Sequence, residues 1–292
     1  MKQRGSLTVW LSEDFEKSWF AVSKEKQKRG HPFLYSDTSM DLMLTLRQIF
    51  KLGLRQLTGF FKSLFSLIGR TLPIPEFSRL SRRMSKSLSR LSLGALEKRT
   101  HIVIDSTGLK VFGEKEWLET KHGRQYQRKV WRKLHIGIEG EGLIVAREMT
   151  DHRTDDRACV FSLLDQEEAE YTEEALMDGG YDSYEVYHYL EDKEIRPLIR
   201  PPAHAVVSSE TAPTLRDQTI DYIQKKGYWV WYNKNDFGRR EKAENTFYLL
   251  KTIFGRKLLS RSWRNQNVET HLICYLLNKM TKLGMPQSVK MV

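Results

Sequence analysis

Residues 236–251, Asp236-Phe-Gly-Arg-Arg-Glu-Lys-Ala-Glu-Asn-Thr-Phe-Tyr-Leu-Leu-Lys251, carry the first chemical signal in the chain. At 3.6 residues per turn, steps of four and seven return nearly to one azimuth, so a helix here sets Arg240, Glu244 and Lys251 on one face. Phe247, Leu250 and Phe254 are spaced to hold that helix on a core. An ordinary i,i+4 ion pair is one reading of Arg240 and Glu244, although the stabilising order places the Glu first and here the Arg comes first. The other reading is a catalytic carboxylate with two phosphate-holding cations, and it requires partner carboxylates elsewhere.

Two positions supply them. His101-Ile-Val-Ile-Asp105 and Ala175-Leu-Met-Asp178 are short apolar runs that end in an Asp, the profile of buried strands with a carboxylate at the tip. Asp105, Asp178 and Glu244, with no His or Cys beside them, are hard oxygen donors suited to Mg²⁺ or Mn²⁺. Two such ions about 4 Å apart serve phosphoryl transfer.

The elements that must position these groups follow from periodicity. Met40 to about Phe50 and Leu54 to about Ile68 read as helices broken at Gly53, with Asp37, Thr38 or Ser39 as the entry cap. Leu72-Pro-Ile-Pro75 forces a turn before a third helix, on which Arg79, Arg82, Arg83, Lys86 and Arg90 make a basic face opposite Leu80, Met84, Leu88 and Leu91. That pattern fits a helix-turn-helix-like DNA reader over 39–91; a basic helix on a membrane is the competing reading, disfavoured by a thin stripe without aromatics. From 101 onward the order is strand, strand, strand, helix, strand, helix, strand, insertion, helix. Residues 131–139 and 143–149 form a hairpin around Gly140-Glu-Gly142, 156–170 a helix, 183–193 a helix, 195–200 a strand and 268–282 a last amphipathic helix. This predicts an α/β, ribonuclease H-like mixed sheet flanked by helices over 96–292, with a small insertion near 201–236, preceded by a basic helical region over 1–95. In such a sheet the first and fourth strands are neighbours, which lets Asp105 and Asp178 converge.

Charge supports the division. The net charge is +11, and residues 1–100 hold 19 Lys/Arg against 8 Asp/Glu, leaving 29 against 29 in the rest. A basic region joined to a neutral one implies a polyanion binder attached to something that acts on the polyanion. Two cysteines, Cys159 and Cys274, without a CxxC motif, exclude a disulfide scaffold and a thiolate metal site and fit a reducing cytoplasm. The start lacks an apolar leader, and the most apolar stretch, 49–69, is interrupted by Lys51, Arg55 and Lys62, so no membrane span is expected.

Phe237, Arg240, Glu244 and Lys251 reproduce the intervals of a Tyr-Arg-Glu-Lys signature, with Phe for Tyr at the first position. Together with Asp105-Ser-Thr-Gly-Leu-Lys, Asp178-Gly-Gly-Tyr-Asp-Ser and Trp131-Arg-Lys-Leu-His135, the chain resembles the bacterial insertion-sequence transposases of the DDE type. The likeness runs from Arg4-Gly-Ser-Leu-Thr nearly to the end, so it implies relatives with residues upstream of this start. The resemblance implies a cytoplasmic, nucleoid-associated transposase with three carboxylates ligating two metal ions and Arg240 and Lys251 holding a phosphate. It implies double-stranded DNA as partner, both the terminal inverted repeats and the target, and a homodimer on DNA. A catalytically inactive DNA-binding regulator and a ribonuclease H-like nuclease without strand transfer are the alternatives. Asp182 reads as support for Asp178 or as turn chemistry, and Asp151, Asp155 and Asp156 as caps of the next helix. His135 and His152 read as structural or phosphate-contacting. Trp229 and Trp231 alternate, so that one ring can be buried and the other exposed; a core role is the ordinary reading of the pair, and stacking on an unpaired base at the element end, worth roughly 1–3 kcal/mol, is the sharper one.

Overall fold

The computed structural model describes residues 12–21, 34–84, 91–94, 100–111, 131–166, 172–208 and 213–284. The chain divides into two compact units, Met1–Ser89 and Arg90–Val292.

The first unit is helical. A short helix α1 (Phe15–Trp19) precedes α2 (Asp37–Ile49), α3 (Leu54–Leu67) and α4 (Phe77–Met84). Ser36, one residue before the expected caps, starts α2 by accepting from the Ser39 amide at 3.0 Å. Gln56 reaches back to the Gly53 amide at 2.9 Å and starts α3. Trp19, Met43, Leu57, Phe61 and Leu80 form the buried core of this unit, with Trp19 donating its indole N–H to the Pro73 carbonyl at 2.8 Å.

The second unit is built on a five-stranded sheet of order β3-β2-β1-β4-β5, comprising β1 (Thr100–Lys110), β2 (Trp131–Glu139), β3 (Ile144–Asp151), β4 (Thr172–Met177) and β5 (Arg196–Ile199). β1, β2 and β3 form an antiparallel meander, while β4 and β5 run parallel to β1. That mixed order is the ribonuclease H-like arrangement. Parallel neighbours need crossovers, and α5 (Ala158–Leu164) and α6 (Tyr184–Asp192) lie on those connections. Beyond β5 come α7 (Leu215–Lys226), α8 (Tyr228–Lys234), α9 (Glu241–Phe254) and α10 (Trp263–Lys282). Ile102, Ile104, Ala175, Met177 and Ile199 of the sheet pack against Cys159, Val160, Leu163, Val186 and Leu190 of the two crossover helices. The inserted segment is largely helical. Tyr228 to Tyr232 lie on a helix, where two residues apart means about 200° apart, so Trp231 is buried while Trp229 is 69% exposed.

Candidate active site

Asp105 is not at the tip of β1. The strand continues to Lys110, paired with β2 throughout, because an edge-to-edge partner still satisfies its backbone. What ends near Asp105 is the pairing with β4. The last registered pair is Val103 with Leu176, and carrying that register on by two residues sets Asp105 beside Asp178. Asp178 leaves β4 into a 3-10 turn (Gly179–Tyr181) and caps it, accepting from the Gly180 amide at 2.8 Å. A side chain at Gly179 would meet the Arg200 carbonyl at 2.9 Å, so glycine is required for this close approach.

Glu244 comes from the first turn of α9, where the positive end of the helix dipole favours a carboxylate. Phe247, Leu250 and Phe254 are buried and seat α9, which packs on β1 and α10. The residue that joins the elements is Arg240, at the end of a second 3-10 turn (Phe237–Arg240). Its guanidinium donates to Asp105 Oδ2 at 3.3 Å and to Glu244 Oε1 at 2.8 Å. The turn itself is clamped to the sheet: neighbouring Arg239 pairs with Glu174 of β4 at 2.8 Å and donates to the Asn235 carbonyl at 3.0 Å. Phe237 is buried against Trp231, with ring centroids 4.9 Å apart, so the ring at this position acts in packing.

Burial pushes the Asp105 carboxyl up to about 6, with Asp178 and Glu244 adding repulsion and the Ser106 amide and Arg240 opposing it. The three carboxylates therefore share one electrostatic site. Tyr181 adds a buried hydroxyl close to Ser106, held protonated by burial and by Asp105, Asp156 and Asp178. Oxygen-only donors at mutual electrostatic range fit a hard divalent cation. Among the described residues, no three His, Cys, Asp or Glu side chains already stand in a metal-binding arrangement, and Arg240 takes the position between Asp105 and Glu244.

A cleft of about 440 Å³ opens beside Asp178, Arg240 and Glu244 and is walled by Arg200, Tyr228 and Tyr232. Arg200 lies 4.8 Å over the Tyr228 ring, a cation on an aromatic face at the edge of the acidic group. Arg200, Tyr228 and Tyr232 were not among the expected site residues. Their signal in the sequence is the aromatic run after Gly227, whose helical period sends different rings to the core and to the cleft.

The other expected residues fall as follows. Lys251 lies on the same helix as Glu244, seven residues on, but forms no ion pair among the described residues; burial and the neighbouring Arg256 charge lower its pKa. Seven residues along a helix is about 10 Å, beyond the reach that four residues give Arg240. Trp231 is a core residue, as the ordinary reading of the pair has it, so base stacking is left to exposed Trp229 alone. On α4, Leu80 and Met84 are buried and Arg79 and Arg82 are exposed, but Arg83 turns inward, donating to the Tyr35 carbonyl at 2.5 Å and pairing with Asp37. Lys86 and Arg90 lie outside the described residues, as does Arg4-Gly-Ser-Leu-Thr. Asp182 forms a two-pronged pair with Arg216, at 2.9 and 2.7 Å, that ties the Asp178 turn to α7. Asp151 closes a turn onto Arg153 and Thr154, and Asp156 accepts from Ser106 and Lys133, while Asp155 accepts the Arg157 amide at 3.1 Å at the entry to α5 and also pairs with the Arg157 guanidinium. His135 is buried on Thr150, and the His152 ring lies tilted beside Trp131, centroids 6.2 Å apart, so both read as structural. No helix among the described residues is long and apolar enough to cross a membrane.

Comparison with known proteins adds two matches to family models, both described as a transposase DDE domain, over residues 96–279 and 2–114. Among solved structures, the chain is similar to the piggyBac transposase synaptic complex with hairpin DNA, seen by cryo-electron microscopy. The two are 10% identical, the match covers 91% of this chain and 71% of that one, and the TM-score is 0.40, too low for the likeness to extend to function.

Proposed function

This chain belongs to the DDE-domain transposases, and on that premise we propose that it is the transposase of a bacterial insertion sequence, cutting DNA at the element ends and joining the freed 3′ end to target DNA. The observation that carries this reading is Arg240, bridging Asp105 and Glu244 at 3.3 and 2.8 Å beside Asp178. Asp105, Asp178 and Glu244 would hold two Mg²⁺ or Mn²⁺ ions. When bound, they supply activation of the attacking oxygen and charge stabilisation of the leaving oxygen.

The protein's own groups divide the remaining work. Arg240 neutralises the carboxylates, and its planar two-pronged guanidinium is the group beside them that would hold a phosphate. Arg239 keeps the turn on β4 and so fixes the backbone from which Arg240 reaches the carboxylates. Asp105, ionised at neutral pH despite its raised pKa, is ready to accept a cation without first losing a proton. The cleft lined by Arg200 and Tyr228, with exposed Trp229 on the same helix, suits a nucleic-acid strand next to the cut. Arg79 and Arg82 on α4 supply phosphate contacts for recognition of the terminal repeats, within a DNA-binding region extending to about residue 95. A homodimer joins the two ends. Catalysis in the nucleoid follows from this substrate.

Incubation of the full chain with MgCl₂, a labelled duplex carrying the element's own end and a supercoiled target plasmid tests the proposal. The expected product is the labelled 3′ end covalently joined to target. Cleavage without joined product supports the nuclease alternative, and binding without cleavage supports the inactive regulator.

A further inference from the structure

Between Lys251 and Asn267 the sequence contains Lys251, Arg256, Lys257, Arg261 and Arg264 and no Asp or Glu. Such a run could be a solvated loop, but this one is built rigidly. Lys257 bridges to Lys110 at the far end of β1, with the Lys110 amide donating to the Arg256 carbonyl at 2.9 Å and the Leu258 amide to the Lys110 carbonyl at 2.8 Å. Glu269, buried on α10, accepts the Leu259 and Ser260 amides at 2.6 and 2.7 Å. Gln266, also buried, donates to the Ser260 and Arg261 carbonyls at 3.2 and 3.0 Å, and accepts from Arg132 at 3.0 Å. Arg132 in turn lies 4.6 Å over the half-exposed Trp263 ring. The first carboxylate after the run is thus turned inward onto the backbone, while Lys110, Arg256, Lys257, Arg261 and Arg264 are exposed. The long α10 begins at the same place, adding the positive end of its dipole.

We infer that the 256–264 loop, with Lys110 and Lys251, is a preformed cationic track for the backbone of duplex DNA on its way out of the active site. The inference rests on the transposase reading and assigns the stretch of DNA held. Five strand residues separate Asp105 from Lys110, roughly 17 Å. Seven helical residues separate Glu244 from Lys251, roughly 10 Å. At about 3.4 Å per nucleotide these distances put the track about three to five nucleotides from the phosphate that is cut. Contacts of this kind carry no sequence information; they fix register.

The test uses the full chain and a labelled 40-base-pair duplex of arbitrary sequence, with binding followed by anisotropy across a NaCl series. Simultaneous Arg256→Ala, Lys257→Ala, Arg261→Ala and Arg264→Ala should flatten the slope of log K against log salt by about 3 to 4, at about 0.9 for each phosphate no longer neutralised. The variant with Arg256→Lys, Arg261→Lys and Arg264→Lys should keep the wild-type slope, since a phosphate accepts a point charge. Hydroxyl-radical footprints on the element's end should lose protection only three to five nucleotides from the cut. Should the fourfold variant melt early, Arg264→Glu alone, at the exposed start of α10, should still flatten the slope by at least about 1. An unchanged slope in a folded variant overturns the track. Failure of the catalytic reading would look different: no cleavage by the wild type, with the slope difference intact.

Discussion

Replacing Asp105 by Asn in metal-free protein should stabilise the fold at neutral pH. In the folded chain burial, Asp178 and Glu244 lift this carboxyl from 3.8 to about 6. The folded state therefore holds a proton that the unfolded state has released between about pH 4 and 6, so stability falls as pH rises through that window and stays lowered above it. At about 1.4 kcal/mol per tenfold change, the ceiling is roughly 3 kcal/mol. The side chain is 16% exposed, and Asn gives up the ion pair with the Arg240 cation, so a gain of about 1–2 kcal/mol at pH 7.5 is expected. Asn can still accept from the Ser106 amide. Urea melts in EDTA at pH 7.5 and 4.5 measure it, and the gain should shrink to about a third at the lower pH. Saturating Mg²⁺ should reverse the order, because only the carboxylate gains from the cation. An Asn variant no more stable than wild type at pH 7.5 in EDTA would refute the argument that these acidic groups repel one another across a buried site.

Arg240→Lys should leave melting within about 1 kcal/mol and lower single-turnover cleavage by about 10²–10³, since a Lys cannot bridge two oxygens or present a planar fork. Lys251→Ala, with no ion pair among the described residues to lose, should change stability by less than about 0.5 kcal/mol; wild-type cleavage would remove it from the phosphate contacts. Asp217 accepts from the Ser208 and Thr214 amides and the Tyr184 hydroxyl, which hold its pKa far below the ordinary carboxylate value despite burial. Its stabilisation is fully present above about pH 4 and is lost as pH falls through the depressed folded pKa, so acid melts should separate wild type from Asp217→Asn at pH 6 and narrow the difference, without closing it, by pH 2. Arg79→Ala with Arg82→Ala should weaken binding to terminal repeats and flatten the salt slope by about 2; unchanged binding would exclude α4 from recognition.

Much of the second unit was legible because strands and helices differ in hydrophobic period. The run at 101–105, the hairpin at 131–149 and the Asp178 turn each declared an element, and their order implied the sheet. The place of Asp105 within β1 was not legible, since the pairing that holds Thr107 to Lys110 is made by Leu134 to Trp131 of a partner strand more than twenty residues further on. Spacing set Arg240, Glu244 and Lys251 on one helix face but gave no sign that Arg240 also reaches Asp105, which lies on β1 135 residues away in sequence. Arg83 shares the sequence pattern of Arg79 and Arg82, yet the Tyr35 carbonyl and Asp37 lie within its reach. The Arg239–Glu174 clamp joins two stretches whose proximity only the folded sheet creates.

The central claim is that Asp105, Asp178 and Glu244 act as one metal-dependent site. Single-turnover cleavage of the element's end in Mg²⁺ by Asp105→Asn, Asp178→Asn and Glu244→Gln, with end binding measured on the same samples, tests it most directly. Each variant should lose nearly all cleavage while binding ends close to normally; near wild-type cleavage by any one of the three would contradict the assignment of that residue and the site built on it.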